Sequence, residues 1–454
     1  MSKNNNQASK TGETRRNFIR KAAGMAAIAG TAKVFKTPVY GQQQAPSTGR
    51  TIGANDRINV GYIGVGNQGT AHLNHQKTHA QENNIAQVAV CDLWQKRLDA
   101  ARNLLGLTEA DGYRDHRKLL ERKDIDAVLI ATVDNWHAQI TLDALAAGKH
   151  VYCEKPLTRY LGEAFEVYDA VKKSGKVFMV GSQGCADPKY HKAAQWIKEG
   201  KLGPLVWAQG SYCRNNPRNS EWTYQADTDL KEDNMDWYRW LGKAPRISFN
   251  PNHYFSWHKY YAYNSGIIGN LLPHRFHPLM LATGNPEFPR RVCATGTRKI
   301  STDRDITDTT HMLVEYPSGL TFVVAGSTVN ELGLQDIIRG RKANLFFAPS
   351  QNKVELKPER IFSEEMDSEE FNDPSPVDNI PRLEKNWFDC IRNGGTPLAN
   401  IELAIRAQTA LCLAEMSERK GLTLFFDEKT RVIKTGDGQT VPPLSYDSII
   451  PPSA

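Results

Sequence analysis

The sequence has few cysteines, and they lack the spacing found in zinc sites and disulfide-stapled domains. Seven cysteines occur in 454 residues, an odd number, widely spread and without a Cys-x-x-Cys pair. Cys91, Cys153 and Cys412 lie in apolar strand or helix patterns, which favours buried free thiols. The sequence therefore predicts neither a disulfide framework nor a metal site.

The chain also lacks a basic surface for nucleic acid. Its formal net charge is +7, but residues 1–50 hold nine of the 57 Lys and Arg and one of the 50 acids, so this stretch alone carries +8. The remaining 48 basic and 49 acidic residues leave −1, which gives no net positive field to hold a phosphate backbone. With 40% hydrophobic and 24% charged residues, the composition is that of an ordinary globular protein.

A long apolar run is missing as well. The stretch 22–32 is too short and too rich in Ala and Gly to span a bilayer stably, and no cysteine precedes Cys91 to carry a lipid anchor. It follows Arg15-Arg16-Asn17-Phe18-Ile19, and together they resemble a twin-arginine export signal. We expect a signal and leader at 1–41, a linker at 42–56, and a periplasmic or secreted protein without a stable membrane anchor. A disordered basic tail is the alternative.

A glycine-rich turn follows the first apolar strand pattern, residues 58–63. Gly64, Gly66 and Gly69 give the pattern G-x-G-x-x-G, and a polar segment of helical character begins near Thr70. The glycines permit a tight turn and a close approach of backbone to pyrophosphate, and the helix amino terminus offers unpaired N–H groups. Alone, this pattern is weak evidence for a nucleotide site.

Asp92 supplies the second part of a dinucleotide site. It ends an apolar strand pattern over residues 85–91, a little over twenty residues beyond the last glycine, where a carboxylate reaches the adenosine ribose hydroxyls. Its charge repels a 2′-phosphate and so favours NAD as the cofactor, while Lys96 and Arg97 leave NADP open. Asp92 alternatively caps a helix over residues 93–105.

Strand and helix patterns alternate up to about residue 182. Further apolar strand patterns lie at residues 127–131, 150–153 and 177–180. This alternation predicts an α/β fold, with a Rossmann-type, doubly wound parallel sheet in a NAD-binding domain over residues 57–182.

Longer extended stretches predominate after Gly203. They cover residues 205–212, 290–297, 311–316 and 320–325, between Gly, Pro and Asn turns. We expect a substrate-binding α+β domain with an open, mainly antiparallel sheet over residues 183–440. Its Trp-, Tyr- and His-rich segment 237–281 suits a pocket for polar ring compounds. The acidic stretch 363–373 is expected to be a solvated loop, and residues 441–454 an irregular tail.

The strand pattern at residues 150–153 leads directly into Glu154, Lys155 and Pro156. Ligands of open α/β sheets bind in the crevice beyond the carboxyl ends of the strands. We therefore expect the Lys155 ammonium group to face a ligand. A structural lysine paired with Glu154 is the alternative.

These motifs together resemble the Gfo/Idh/MocA oxidoreductases, of the glucose-fructose oxidoreductase and inositol dehydrogenase type. Glu154-Lys155-Pro156 is the most specific mark of a resemblance that covers nearly the whole chain after the leader. The other matching motifs are residues 64–69, Asp92, 113–115, 135–137, 148–157, 181–183, 240–242 and 266–277. The resemblance implies a first domain that binds NAD(P) and a second that presents a sugar or polyol to the nicotinamide.

The resemblance also implies where ligands bind. We expect cofactor contacts at Gly64, Gly66, Asn67, Gln68, Gly69, Asp92, Asn135, His137, Glu154, Lys155 and Gln183. We expect substrate contacts at Lys155, Tyr190, Arg214, Trp257, Asn270, His274 and His277. The open sheet of this family further implies a homo-oligomer.

Catalysis is implied at three polar positions, a lysine and then an acid and a histidine in a Gly-Asp-x-x-x-His pattern. Lys155 fits the first, because a buried ammonium with a depressed pKa can stabilise an alkoxide or pass a proton. His274 fits the third as a general base, with a core histidine as the alternative. Asn270 stands where the acid is usual, and an amide orients a hydroxyl but takes no proton at neutral pH. His277 is a second departure from the pattern.

Residues 269–274 also resemble the Gly-Asn-x-x-Pro stretch of the family's NAD-dependent glycosidases, which recycle their bound NAD. The histidine of those enzymes lies one residue later, where this chain has Arg275. We expect an exported NAD-dependent oxidoreductase that acts on a sugar, polyol or glycoside by hydride transfer at a secondary alcohol. A redox-neutral glycosidase and a non-catalytic ligand-binding member are the alternatives.

Overall fold

The computed structural model of the chain describes residues 56–217, 221–377 and 379–448. The predicted twin-arginine signal and nearly all of the predicted linker lie outside the described residues. The end of the predicted irregular tail lies outside them as well.

A parallel six-stranded sheet organises the first domain, as predicted. Its strands are β1 (Ile58–Ile63), β2 (Ile85–Cys91), β3 (Gly112–Tyr113), β4 (Ala127–Ile130), β5 (His150–Glu154) and β6 (Phe178–Gly181). They lie in the order β3-β2-β1-β4-β5-β6, and every neighbouring pair is parallel. All four residues of β4 are buried, because helices cover the faces of a parallel sheet. The strand order reverses between β1 and β4, where such sheets open a ligand crevice.

Five helices follow the strands of this sheet. They are α1 (Asn67–Thr78), α2 (Gln95–Leu105), α3 (His116–Leu120), α4 (Asp134–Ala146) and α5 (Leu161–Ser174). The helix predicted from near Thr70 begins three residues earlier, at Asn67. Its N-cap is Gly66 in an extended conformation, so the glycine turn passes directly into the first helical turn.

An eleven-stranded sheet organises the second domain. Its strands are β7 (Leu205–Asn215), β8 (Arg291–Thr297), β9 (Thr309–Glu315), β10 (Thr321–Ser327), β11 (Val329–Asn330), β12 (Ile337–Gly340), β13 (Ala343–Phe347), β14 (Lys353–Pro358), β15 (Glu369–Asn372), β16 (Leu424–Asp427) and β17 (Val432–Thr435). The order is β15-β14-β13-β12-β7-β10-β9-β8-β16-β17, with β11 paired to β7. Only β7 and β10 pair in parallel among the described strands of this sheet, which confirms the predicted mainly antiparallel arrangement.

The second sheet buries one face and leaves the other accessible. On β9, Met312 and Val314 are buried, whereas the alternating residues His311 and Leu313 are exposed. The remaining helices are α6 (Pro188–Lys198), α7 (Trp237–Leu241), α8 (Pro251–Phe255), α9 (Ile267–Asn270), α10 (Pro273–Ala282), α11 (Asn379–Asn393) and α12 (Ile401–Lys420). Of these, α6, α10 and α12 pack on the sheet. Because successive side chains of a strand point to opposite faces, the apolar side chains of the strands face these helices.

The C-terminal helices also fasten the two domains together. α12 packs against α5, and α11 packs against α1. Arg159, just after β5, forms a buried ion pair with Glu415 of α12 at 2.7 Å and donates to the Tyr261 carbonyl. The loop after β5 is thus held by residues of the second domain.

The acidic stretch 363–373 differs from the predicted solvated loop. Its last part forms the edge strand β15, which pairs antiparallel with β14. Glu369 and Glu370 bind Lys201 and Lys353, at 2.7 and 2.9 Å. Backbone pairing with an existing sheet edge stabilises a strand whose side chains remain solvated, and no apolar pattern signals it.

The cysteines are free thiols, and four of them are buried: Cys91, Cys153, Cys185 and Cys390. Cys293 is exposed on the accessible face of the second sheet. None of the helices in the described ranges is long and apolar enough to cross a membrane.

Candidate dinucleotide and substrate site

A cavity of about 460 Å³ lies at the carboxyl ends of β1, β2, β4 and β5, and residues of the second domain form its other wall. Thirteen of the predicted site residues line it: Gly64, Gly66, Asn67, Gln68, Asp92, His137, Glu154, Lys155, Gln183, Arg214, Trp257, Asn270 and His274. The predicted crevice and the observed cavity therefore coincide.

The glycine turn is shaped for a close approach of a phosphate. Gly64 adopts a φ of +85°, which favours glycine. A Cβ on Gly69 would collide with the Gly64 carbonyl oxygen, so the helix packs tightly against the turn. α1 carries no acidic side chain in its first turn and no side-chain cap. Its first N–H groups therefore fit the pyrophosphate of a dinucleotide.

Two hydrogen bonds from backbone N–H groups fix the Asp92 carboxylate beside the glycine turn. Its Oδ2 accepts a hydrogen bond from the Val65 N–H at 3.0 Å, and its Oδ1 accepts one from the Trp94 N–H at 2.9 Å. α2 begins at Gln95 with Trp94 as N-cap, two residues later than the helix predicted from residue 93. Asp92 thus orders the approach to α2 and also faces the cavity, where a ribose hydroxyl can bind it.

An arginine and aromatic rings cover the Asp92 end of the cavity. The Arg97 Nη1 donates to the Tyr254 hydroxyl at 2.9 Å, and the guanidinium lies 4.9 Å from the Tyr254 ring and 5.8 Å from that of Phe255. A Cβ on Gly66 would meet Arg97. The second domain therefore reaches over the glycine turn.

A separate apolar cluster ties the domains together beside this end. It joins Trp94 and Val133 of the first domain to buried residues of the second: Leu230, Met235, Trp237, Trp240, Leu241, Ala244, Tyr254, Ala262 and Tyr263. Next to it, Lys96 Nζ contacts Asp227 at 2.7 Å and Asp229 at 2.6 Å. We call these contacts the second-domain clasp. They hold the second domain against the first beside the Asp92 end of the cavity.

Lys155 and Glu154 line the cavity at the boundary between the two domains. The Lys155 Nζ donates to the Asn270 carbonyl oxygen at 3.0 Å, across the domain boundary. His137 Nδ1 lies 2.8 Å from the Pro156 carbonyl oxygen, and its Nε2 lies 3.2 Å from that of Thr132. His137 thus connects the loop after β4 to the loop after β5.

Glu154 belongs to a buried charge network with His72 and Glu384. His72 lies between the two carboxylates, 2.8 Å from Glu154 Oε1 and 2.5 Å from Glu384 Oε1. Burial opposes its charge, but the hydrogen bonds and charges of both carboxylates raise the pKa of His72 to about 9. His72 is therefore an imidazolium at neutral pH. The same contacts, against the effect of burial, lower the pKa of Glu154.

Lys155 is the cationic centre of the site. Burial lowers the pKa of its ammonium, and the charges of Glu154 and Asp134 offset this only in part. Burial, together with Lys155 and the neighbouring Arg214, lowers the pKa of His274 well below its usual value. The His274 ring lies 5.2 Å from that of Tyr212 and faces the cavity as a neutral imidazole. The unprotonated nitrogen of such a ring can accept a hydrogen bond from a hydroxyl group.

Four predicted site residues do not line the cavity. Gly69 packs against the turn, as described. The Asn135 amide donates to the Leu241 carbonyl. Tyr190 is buried, stacks on Phe347 at 4.8 Å and lies 3.4 Å from Asp336. His277 is buried on α10 with neither ring nitrogen hydrogen-bonded, and burial and Lys155 lower its pKa to about 3.

Other residues line the cavity although the sequence did not single them out. Asp134 begins α4, directly after β4, so its position beyond a strand end was the available signal. His258 stacks between Trp257, at 3.7 Å, and Trp222, at 5.8 Å. His258 falls in the aromatic segment 237–281 predicted to form a pocket, whereas Trp222 lies in a stretch without any pattern. Among the residues that the structure covers, no cluster of His, Cys, Asp or Glu could hold a metal ion.

Two family models match the chain. One, described as an oxidoreductase family with a NAD-binding Rossmann fold, matches residues 58–182, and another, described as the oxidoreductase family's C-terminal alpha/beta domain, matches residues 243–424. Together they cover more than half of the chain and both sides of the cavity. The first domain is thus a NAD-binding Rossmann domain, which confirms NAD as the predicted cofactor. The chain belongs to the Gfo/Idh/MocA family of oxidoreductases.

Curated relatives match parts of the chain. It is 29% identical to an inositol 2-dehydrogenase of Salmonella typhimurium, over 40% of this chain and 54% of the relative. It is 31% identical to a glycosyl hydrolase family 109 protein of Bacteroides fragilis, over 50% of this chain and 46% of the relative. The matched part of the chain thus spans about half the length of these relatives.

Solved structures share the fold over most of the chain. A levoglucosan dehydrogenase in complex with NADH and levoglucosan superposes with a TM-score of 0.64 at 19% identity, covering 82% of this chain and 99% of that one. An aldose-aldose oxidoreductase from Caulobacter crescentus gives a TM-score of 0.62 at 17% identity, covering 82% and 100%.

Replacing Asp92 by Asn tests its contact with the adenosine ribose. We expect NADH to bind about tenfold more weakly, because one charge-assisted hydrogen bond is lost. We also expect the ratio of the NADH affinity to the NADPH affinity to decrease, because the charge that repels the 2′-phosphate is gone. Fluorescence titration with both nucleotides measures this. Asp99→Asn, on the surface of α2, is the control. An unchanged ratio of the two affinities would refute the assignment.

The His72 network predicts a stability that falls at alkaline pH. The folded pKa of about 9 lies above the usual value of 6.5, so the stabilisation is complete below pH 6.5 and is lost as the pH rises through 9. The shift corresponds to about 3 kcal/mol. Thermal melts from pH 6 to 9.5 should show this loss in the wild type, and His72→Gln should flatten it. His79→Gln, at an exposed pair on the same segment, should retain the wild-type slope.

Proposed function

We propose that this protein is an exported, NAD-dependent oxidoreductase that acts on a sugar, polyol or glycoside at a secondary alcohol. One observation carries the proposal. A single cavity joins the glycine turn and Asp92 to Lys155, Asn270 and His274. A dinucleotide bound at the glycine turn and Asp92 therefore extends its nicotinamide toward Lys155 and His274. When bound there, a nicotinamide supplies the hydride acceptor or donor.

At the domain boundary, Lys155 serves in charge stabilisation and His274 in proton transfer. The Lys155 ammonium, held by the Asn270 carbonyl, stabilises negative charge that develops on the substrate oxygen. The neutral His274 ring accepts the hydroxyl proton in oxidation and returns it in reduction. Trp222, Trp257 and His258 form an aromatic wall, which suits the C–H faces of a sugar ring.

A redox-neutral glycosidase with recycled NAD is the second candidate function. The second-domain clasp favours it, because contacts that cover the Asp92 end oppose the release of a cofactor after each turnover. The similarity to the glycosyl hydrolase family 109 protein also supports it. Export supports it further, since a protein outside the cytoplasm has no pool of free NAD to draw on.

Lys155→Ala tests whether the protein is an enzyme. Turnover should fall about a thousandfold, in the range of a lost acid-base or charge-stabilising group, a larger loss than any weakening of NADH binding measured by fluorescence. Nitrophenyl glycosides and free sugars, each with and without added NAD, are the substrates to screen. Aglycone release without net NADH formation identifies the glycosidase, and NADH formation identifies the dehydrogenase. Ligand binding with no turnover in the wild type would instead identify a non-catalytic binding protein.

We also propose that the chain forms a homo-oligomer through the accessible face of the second sheet. Leu313 is 46% exposed and lies between the exposed Cys293 of β8 and the half-buried Val323 of β10 on this face, and association buries such an apolar patch. Leu313→Glu should reduce the mass measured by light scattering to that of a monomer. Leu332→Glu, at an 87% exposed residue outside the sheet, should leave the mass unchanged. A monomeric wild type would rule the proposal out.

A further inference from the structure

Tyr224 differs from the other aromatic residues of the cavity because it is exposed. In the part of the chain that the structure describes, the other Trp, Tyr and Phe residues that line the cavity are buried or half-buried. Tyr224 also lines the cavity but is 42% exposed. A residue that lines a cavity and also reaches solvent lies at its mouth. Tyr224 thus continues the lining of the cavity out to solvent.

The position of Tyr224 is fixed by the segment that carries the aromatic wall. The Tyr224 N–H donates to the Ser256 hydroxyl at 3.2 Å, next to Trp257. The Tyr224 ring lies 6.1 Å from that of His258 with a tilt of 50°, and His258 stacks on Trp257 at 3.7 Å. Tyr224 is therefore a fourth member of the aromatic wall, at the end that reaches solvent.

The turn before Tyr224 has a strained backbone. Trp222 adopts a φ of +58°, a left-handed conformation that bulky residues rarely adopt. It is only 3% exposed, and its ring lies nearly parallel to that of His258 at 5.8 Å. Residues strained in this way cluster at ligand-binding sites, where surrounding contacts hold them. Here the neighbouring Glu221 is buried and paired with Arg214 at 2.9 Å, which anchors the turn.

Arg214 also connects this turn to the reaction centre. Its Nη2 donates to the Tyr212 hydroxyl at 2.8 Å, and the Tyr212 ring lies 5.2 Å from that of His274. All three residues line the cavity, as do Trp222 and Tyr224. A connected set of lining residues therefore leads from His274 to the mouth at Tyr224.

The lining near Tyr224 suits a ring of an uncharged ligand. Aromatic faces cover C–H groups or stack on another aromatic ring, and the guanidinium of Arg214 beside them can donate to hydroxyl or ring oxygens. A free monosaccharide held at Lys155 and His274 leaves the Tyr224 ring in water. A ligand with a second ring that extends toward the mouth covers it.

We infer that Tyr224 and Trp222 form an outer subsite for a second ring, so that the preferred substrate is a glycoside rather than a free monosaccharide. The second ring is another sugar or an aromatic aglycone, attached to the sugar that reacts at Lys155 and His274. The inference rests on the proposed function for the reacting sugar, and it names the substrate class within that function.

Ligands that differ only in the second ring test the outer subsite. The probes are the methyl glycoside, the nitrophenyl glycoside and a disaccharide of the same sugar, titrated calorimetrically into the NAD-loaded protein for each sugar of the activity screen. A two-ring probe should bind about fivefold more tightly than the methyl glycoside, the size of one aromatic contact. Tyr224→Ala should remove this preference. The two-ring probe that loses affinity identifies the second ring as a sugar or an aromatic aglycone.

Three further variants separate stacking from a general disturbance of the fold. Tyr224→Phe should keep the preference, because stacking needs the ring and not the hydroxyl group. Trp222→Gly should reduce it, and glycine adopts the left-handed backbone there without strain. Tyr238→Ala, at a 58% exposed tyrosine of α7, is the matched control and should keep it. A preference that is absent from the wild type or survives Tyr224→Ala would overturn the inference, as would weaker NADH binding as the only effect of Tyr224→Ala.

The outer subsite and the proposed function fail in different ways. If Tyr224→Ala removes the preference for a two-ring probe but the wild type turns over none of the probes, the proposed function is wrong and the outer subsite stands. If the wild type is active and Tyr224→Ala binds and turns over all probes as the wild type does, only the outer subsite is wrong. If the wild type binds none of the probes, both are wrong.

Discussion

The structure depends on the neutralisation of buried charge at the end of β5. Glu154 is buried and Lys155 half-buried at the carboxyl end of a parallel strand, where an unpaired buried charge costs several kcal/mol. His72, held between Glu154 and Glu384, supplies the second cation. Two carboxylates, an imidazolium and an ammonium then sum to zero. Because these groups come from α1, the β5 loop and α11, the neutral arrangement exists only when both domains are assembled.

The same requirement explains why the C-terminal helices cross to the first domain. α11 supplies Glu384, and α12 supplies Glu415 for the buried Arg159. Each of these ion pairs would be costly with one partner removed, so they specify how the domains dock. The second-domain clasp adds apolar contacts at the opposite end of the cavity. The site is therefore enclosed at its two ends by different physical means, charge pairing near Lys155 and apolar packing near Asp92.

The sequence predicted those parts of the fold that local patterns encode. Local patterns identify the strands buried on both faces, the glycine turn and Asp92, because each of these features depends on particular residue types at fixed positions. β15 carried none, because its stability comes from pairing with β14. Tyr190 was assigned to the substrate, yet its environment is set by Phe347 and Asp336, far away in the chain. His258 was overlooked for the same reason, since its place in the cavity wall results from packing against Trp222 and Trp257. Asp134 was overlooked although its position directly after β4 was a local signal.

The distribution of charge around Lys155 bears on the kind of ligand the cavity favours. The two guanidinium groups of the second domain that line the cavity are paired, Arg214 with Glu221 at 2.9 Å and Arg239 with Asp115 at 3.3 Å. Burial and the charge of Lys155 lower the pKa of His258 to about 3, and His274 is neutral as well. A phosphorylated or acidic sugar would need cations beyond Lys155 to balance it, whereas neutral imidazoles, amides and aromatic rings suit hydroxyl groups and C–H faces. The electrostatics of the site thus favour an uncharged polyhydroxy compound, which is what the proposed chemistry at a secondary alcohol requires.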